Sequence, residues 1–150
     1  MRYIDRILQP GETVIQSTTI HWIIYLPYAL ILLVALFALT QMSGSSGPIW
    51  GMVAIAFGFF GGAGLFAAWF KRWTTEIDVT DRRIVYKRGF IRRHTVEMNM
   101  QKVESVDVDQ TLTGRLFNYG TVTIRGTGSS FETLRMIDAP LKLRSTVTAG

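Results

Sequence analysis

Six basic residues crowd one short stretch: Arg82, Arg83, Lys87, Arg88, Arg92 and Arg93. Cationic side chains at that density attract phosphate groups, and beside an anionic leaflet each contributes roughly 1 kcal/mol. Three of them engaged would bias a lipid contact on the order of 100-fold. The same charges would equally serve topology and solubility. Nucleic acid is a poor match, because nine acidic residues lie in the same half of the chain and no aromatic platform accompanies the arginines.

Catalytic groupings are scarce. His21 and His94 are the two histidines, and they fall in separate segments, so no histidine pair suggests a metal site. Asp107 and Asp109 put two carboxylates on one strand face. Acid–base work by such a pair would want a third polar partner, and a solvated face opposite Val106 and Val108 accounts for both. Gly126 and Gly128 match no phosphate-binding motif. The chain has no cysteine, which removes disulfides, thiolate ligands and cysteine nucleophiles. The expectation is a non-enzymatic protein with no cofactor and no metal.

The elements that would carry these residues divide sharply. No Asp, Glu, Lys or Arg occurs between Glu12 and Lys71, and 14 of the 16 basic residues lie from Lys71 onward. Two apolar runs fill the gap, residues 22–39 and 49–70. At roughly 1.5 Å rise per residue, each can cross a hydrocarbon core. Trp22, Tyr25, Tyr28, Trp50, Trp69 and Trp73 stand at or near their ends, as interfacial anchors would. Pro27 falls in the first run and is expected to kink it. Residues 40–48 form an uncharged Gly/Ser-rich linker. Arg2 and Arg6 precede the first run, Lys71 and Arg72 follow the second, and the linker has no basic residue, which predicts both termini on the cytoplasmic side of the cell (inner) membrane. Gly58 and Gly62 form a GxxxG suited to close helix packing, either on the first run or on another chain.

Beyond Thr74 the period changes to two. Ile77 and Val79 alternate with Glu76 and Asp78, and similar runs predict strands near 74–79, 83–88, 92–100, 103–109, 120–126 and 131–137. Lys87–Phe90 reads as a hairpin turn, and residues 112–120 as a helical turn ended by Gly120. Asp138 could cap a short final helix carrying Leu141, Leu143 and Val147. The organisation is therefore a cytoplasmic segment 1–21, a span 22–39, an extracytoplasmic loop 40–48, a span 49–70 and a cytoplasmic domain 74–150.

Several stretches together carry a resemblance: LQPGETV (8–14), His21-Trp22, TEIDVTDRRIVYKRG (75–89) and MQKVESVDVDQTLTGRLFNYGTVTI (100–124). In this order, behind two apolar runs, they resemble the YdbS-like bacterial pleckstrin-homology family of membrane proteins. The resemblance covers nearly the whole chain. It implies an α+β membrane protein, with a two-helix transmembrane hairpin followed by a pleckstrin-homology-like antiparallel β-sandwich or barrel and a short C-terminal helix. It implies no enzyme activity and no shared ligand. Two expectations follow: a membrane-tethered scaffold whose β-domain binds another protein or its own copy, or a sensor of anionic lipid headgroups acting through the basic hairpin.

Overall fold

The computed structural model describes residues 4–43, 46–89, 94–127 and 131–149. In chain order the elements are α1 (Ile4–Ile7), β1 (Val14–Thr18), α2 (Leu26–Thr40), α3 (Gly47–Trp73), β2 (Glu76–Thr80), β3 (Arg83–Arg88), β4 (His94–Asn99), β5 (Val103–Asp109), α4 (Leu112–Phe117), β6 (Tyr119–Gly126), β7 (Phe131–Asp138) and α5 (Pro140–Ala149). Contacts divide them into two units: Trp22–Lys71, and the described residues up to His21 together with those from Arg72 onward.

The helical unit holds two segments of 19 and 27 residues, with mean hydropathy 2.4 and 1.8, long and apolar enough to cross a membrane. A 3-10 turn, Trp22–Tyr25, leads into α2. Pro27 therefore sits at the start of the α-helix rather than inside it. There its missing N–H removes no helical hydrogen bond, so the expected kink has no cause. The buried residues of α3 are Gly47, Ala54, Gly61 and Ala68, one every seven positions, and those of α2 are Ala35 and Ala38. Small residues repeating at seven let two helices approach along a continuous seam. Most of the large apolar side chains face outward, among them Leu33, Leu36, Ile55, Phe59 and Phe60.

The second unit is built of two antiparallel sheets, β1-β2-β3-β4 and β5-β6-β7. Ile77, Val79, Ile84, Val106, Val122, Ile124, Leu134 and Ile137 fill the space between them; all but the pair on β7 follow a period of two, and there Met136, at φ 57°, breaks the alternation so that Leu134 and Ile137 both point inward. Leu143 and Val147, four apart on α5, close the core from one side. The final helix is thus a working plug despite its length, and Leu141 is left exposed. It starts at Pro140, behind Ala139 with φ 47°, while Asp138 belongs to β7 rather than serving as the cap.

One strand was not expected. β1 comes from the segment before the helices and pairs with β2, with Thr18 opposite Ile77 and Val14 opposite Thr80. The whole helical hairpin is thus inserted between two neighbouring strands. After β1 the chain crosses to the other sheet. Ile20 bridges Ile137, the His21 N–H donates to the Met136 carbonyl at 2.7 Å, and the Asp138 N–H donates to the Thr19 carbonyl at 3.2 Å. The folded unit therefore draws on residues 4–21 as well as on the stretch beginning near 74. The outer face of β2 is not solvated as its alternation suggests. Asp78 and Thr80 are buried, and Thr80 Oγ1 donates to Glu12 Oε1 at 2.8 Å.

Candidate functional site

Gly11, at φ +79°, turns the chain before β1 and sets Glu12 against the β2–β3 turn. Arg83 opens β3 there. Its Nε donates to Glu12 Oε1 and its Nη2 to Glu12 Oε2, both at 2.9 Å, while Nη1 donates to Glu97 Oε2 at 2.8 Å and Nη2 to the Ile7 carbonyl at 2.7 Å. The Gln9 N–H also donates to Glu12 Oε2 at 2.9 Å. Burial alone would raise the Glu12 pKa, but the hydrogen bonds from Gln9, Arg83 and Thr80 outweigh it and bring it from 4.5 to about 2. The same partnership raises the Arg83 pKa. The Glu12 side chain is fully buried and that of Arg83 is 16% exposed. Arg83 is therefore committed to holding the N-terminal segment on the sheet, and releasing it toward a headgroup would strand a buried carboxylate.

The other basic residues do not make one patch. Arg82 and Arg83 stand at one end of β3, Lys87 and Arg88 at the other, roughly 15 Å away at about 3.3 Å per residue. Lys87 pairs with Glu76, the first residue of β2, so Lys87 and Arg88 lie at the sheet end where the chain arrives from α3. Arg92 and Arg93 lie outside the described residues. Arg88 and Glu132 flank Tyr86, whose phenol is raised by burial with the Arg88 guanidinium working against that rise. Close by, His94 Nε2 approaches Glu132 Oε1 at 3.7 Å. Tyr86, Met98, Leu134 and Glu132 help line a shallow cleft between the sheets, whose enclosed space is about that of one water.

The groups weighed for catalysis are not brought together. Asp107 pairs with Arg125 on the surface, Oδ2 to Nε 3.1 Å, with both side chains more than half exposed. His21 is buried beside Tyr119, ring centroids 5.4 Å apart, with Asp138 Oδ1 at 3.9 Å from its Nε2. Among the described residues, no three His, Cys, Asp or Glu gather as metal ligands would.

Within the longest stretch of the resemblance, 100–124, residues 110–120 form an architectural corner. Thr111 Oγ1 accepts from the Gly114 N–H at 3.1 Å and caps α4. Gln110 Nε2 donates to the Tyr119 carbonyl at 3.0 Å. Asn118, at φ 57°, ends the helix in the left-handed conformation, not Gly120. Gly120 is small for another reason, since a Cβ there would lie 2.8 Å from the Asp109 carbonyl oxygen.

The expected GxxxG is likewise displaced. A Cβ at Gly58 or Gly62 would meet nothing within 4 Å, whereas one at Gly61 would lie 2.7 Å from Leu32 Cδ2, and one at Gly64 would collide with the Tyr28 ring. Within the hairpin, α2 packs on Gly61 and Gly64. The sequence signal for this seam is the seven-residue spacing of Gly47, Ala54, Gly61 and Ala68, which the GxxxG reading misses.

A family model described as bacterial PH domain matches residues 23–147, from the first apolar helix through α5. No curated protein and no solved structure matches the chain.

Proposed function

The chain belongs to the bacterial PH-domain family, whose members are generally non-catalytic, and from that premise we propose that it is a membrane-anchored scaffold, nearest in kind to the YdbS-like members. The helical hairpin crosses the cell membrane with both termini in the cytoplasm, and the β-unit at the inner face binds another protein or a second copy. The observation that carries this reading is the insertion itself. Two helices with outward-facing apolar side chains, 58% exposed at Leu33 and 75% at Ile55, are inserted in the sequence between two strands that pair directly with each other. Core helices of a soluble protein would bury those side chains, and a bilayer covers them without cost. Glu12–Arg83 and residues 110–120, both within the motifs that carry the resemblance, are spent on folding the unit, and strand edges are the surfaces this reading assigns to a partner.

A second reading keeps the lipid sensor in reduced form. Lys87 and Arg88 lie where the chain arrives from α3, so they, with Arg92 and Arg93, are the basic residues suited to anionic headgroups. Affinity capture of the full chain in mild detergent, followed by mass spectrometry, tests the scaffold. A stoichiometric protein partner or a stable homo-oligomer supports it. Recovery of the bare monomer with one tightly held anionic lipid favours the sensor.

A further inference from the structure

α4 is a helix of six residues on the connection between β5 and β6, and two of its side chains have no place in the core. Leu112 is 84% exposed and Leu116 is 78% exposed, more than any other large apolar side chain in the β-unit. Nothing in the making of the corner requires leucine there, because the fold of residues 110–120 rests on Gln110, Thr111, Gly114 and Asn118. Of the two exposed residues between them, Thr113 is polar and Arg115 is basic. A soluble surface would favour polar side chains at such positions.

The position of α4 within the β-unit indicates what covers them. Thr113 Oγ1 on the first turn of α4 shares a 3.0 Å hydrogen bond with the Tyr119 hydroxyl. The Tyr119 ring stacks on His21, centroids 5.4 Å apart and 27° between planes. One tyrosine side chain is all that separates α4 from His21, and the next residue in the chain, Trp22, opens the first apolar segment. Met136, whose carbonyl accepts from the His21 N–H, is also 43% exposed. Leu112 and Leu116 on α4, and Met136, are thus tied to His21, where the chain leaves for the helices.

We infer that α4 is an interfacial foot, inserting Leu112 and Leu116 into the headgroup–acyl boundary of the bilayer that the chain's own helices cross, with Arg115 at headgroup level. The inference rests on the membrane reading above. The boundary zone is roughly 5–8 Å deep on each side, and an interfacial helix buries its apolar face roughly 5–10 Å into it, a depth within the reach of exposed leucine side chains. Such a foot would fix the tilt of the β-unit, and with it the strand edges available to a partner.

The absence of native cysteine makes the test direct. Leu116→Cys, Leu33→Cys and Gln101→Cys would each carry an environment-sensitive fluorophore in the full chain, reconstituted in nanodiscs with and without a lipid-borne quencher. All three sites are exposed, so folding is spared. The expected result is a blue-shifted emission at Leu116, quenched severalfold more than at Gln101 and less than at Leu33 on the span. Water-like emission at Leu116 with quenching at Leu33 overturns the foot and leaves the membrane reading standing. Absence of quenching at Leu33 overturns both. A blue-shifted but unquenched Leu116 means that protein covers α4, which also overturns the foot.

Discussion

Glu12 and Arg83 stand 71 positions apart in sequence and meet through two hydrogen bonds of 2.9 Å. Everything between them includes the helical hairpin, so this pair stitches the chain before the helices to the chain after them. β1 lies immediately beyond Glu12, and its pairing with β2 completes a sheet that the later residues alone leave one strand short.

Acid should loosen this unit. The Glu12 pKa lies near 2 when folded against 4.5 when free, so its stabilisation is fully present above pH 4.5 and is lost as pH falls toward 2. A shift of that size corresponds to about 3 kcal/mol. Glu12→Gln should lower the stability of the full chain in detergent by about 3–5 kcal/mol, because Arg83 loses a buried partner, and should flatten the pH dependence between 4.5 and 2.5. Thermal melts across that range check it, and an unchanged slope in the variant would assign the acid sensitivity elsewhere.

Residues 74–150 by themselves should fold poorly. That fragment has the six strands legible in the sequence but lacks β1 and Glu12, leaving the outer face of β2 with Asp78 and Thr80 uncovered. Linking residues 4–20 directly to 75–149 through a short Gly/Ser segment should restore a cooperative unit, since Thr18 and Ile77 are already paired. Urea melts of the two proteins separate the outcomes, and equal stability would make β1 dispensable.

The helical hairpin should distinguish its glycines. Gly61→Val drives side-chain atoms into Leu32 and Ile31 and should cost about 1–3 kcal/mol by overpacking. Gly58→Val and Gly62→Val meet open space and should leave the monomer's melting temperature unchanged. Loss of an oligomer on size-exclusion chromatography with light scattering, in these two variants alone, would show that another helix uses that face.

Topology is tested by reporter fusions after Gly150 and within the loop between Ser43 and Gly47. The asymmetry of Lys and Arg, present on both flanks and missing from the loop, predicts a cytoplasmic signal from the first and an extracytoplasmic signal from the second. A periplasmic reading after Gly150 reverses the orientation.

Much of the fold was legible because its signals are local. The period-two runs located β3, β5 and β6 within a residue, as at Arg83–Arg88 and Val103–Asp109, and the apolar runs located both helices. β1 was not legible. VIQST is five residues with a weak alternation, and its partner lies beyond the helices, so no window along the chain contains both. The same distance hid the site. Arg83 read as one of six equivalent cations because Glu12, its counterpart, stands alone in an uncharged neighbourhood. Asn118 is less conspicuous than Gly120 because glycine is the commoner left-handed residue, while the need at 120 is for space beside Asp109 and Pro140.

The two functional readings separate at Arg88. Using the linked β-unit, Lys87→Ala and Arg88→Ala should each weaken binding to anionic vesicles by roughly 1 kcal/mol if these residues engage headgroups, and raising salt should weaken the unaltered unit as the surface charge is screened. Arg83→Ala tests the division of the basic run. Its charge is held by Glu12 and Glu97, so its removal should lower the melting temperature and change vesicle binding only as far as unfolding does. Under the scaffold reading, partner recovery by the full chain survives the Lys87 and Arg88 changes, because strand edges and apolar contacts supply the energy. It should fail when proline is placed in an exposed edge strand, as in Thr95→Pro on β4, where a ladder hydrogen bond or its geometry is lost. The expected pattern is weak, salt-sensitive vesicle binding with little headgroup preference, and partner recovery indifferent to Arg88. Strong selectivity for one anionic lipid, abolished by Arg88→Ala with the melting temperature unchanged, would reverse that order and make the sensor the protein's role.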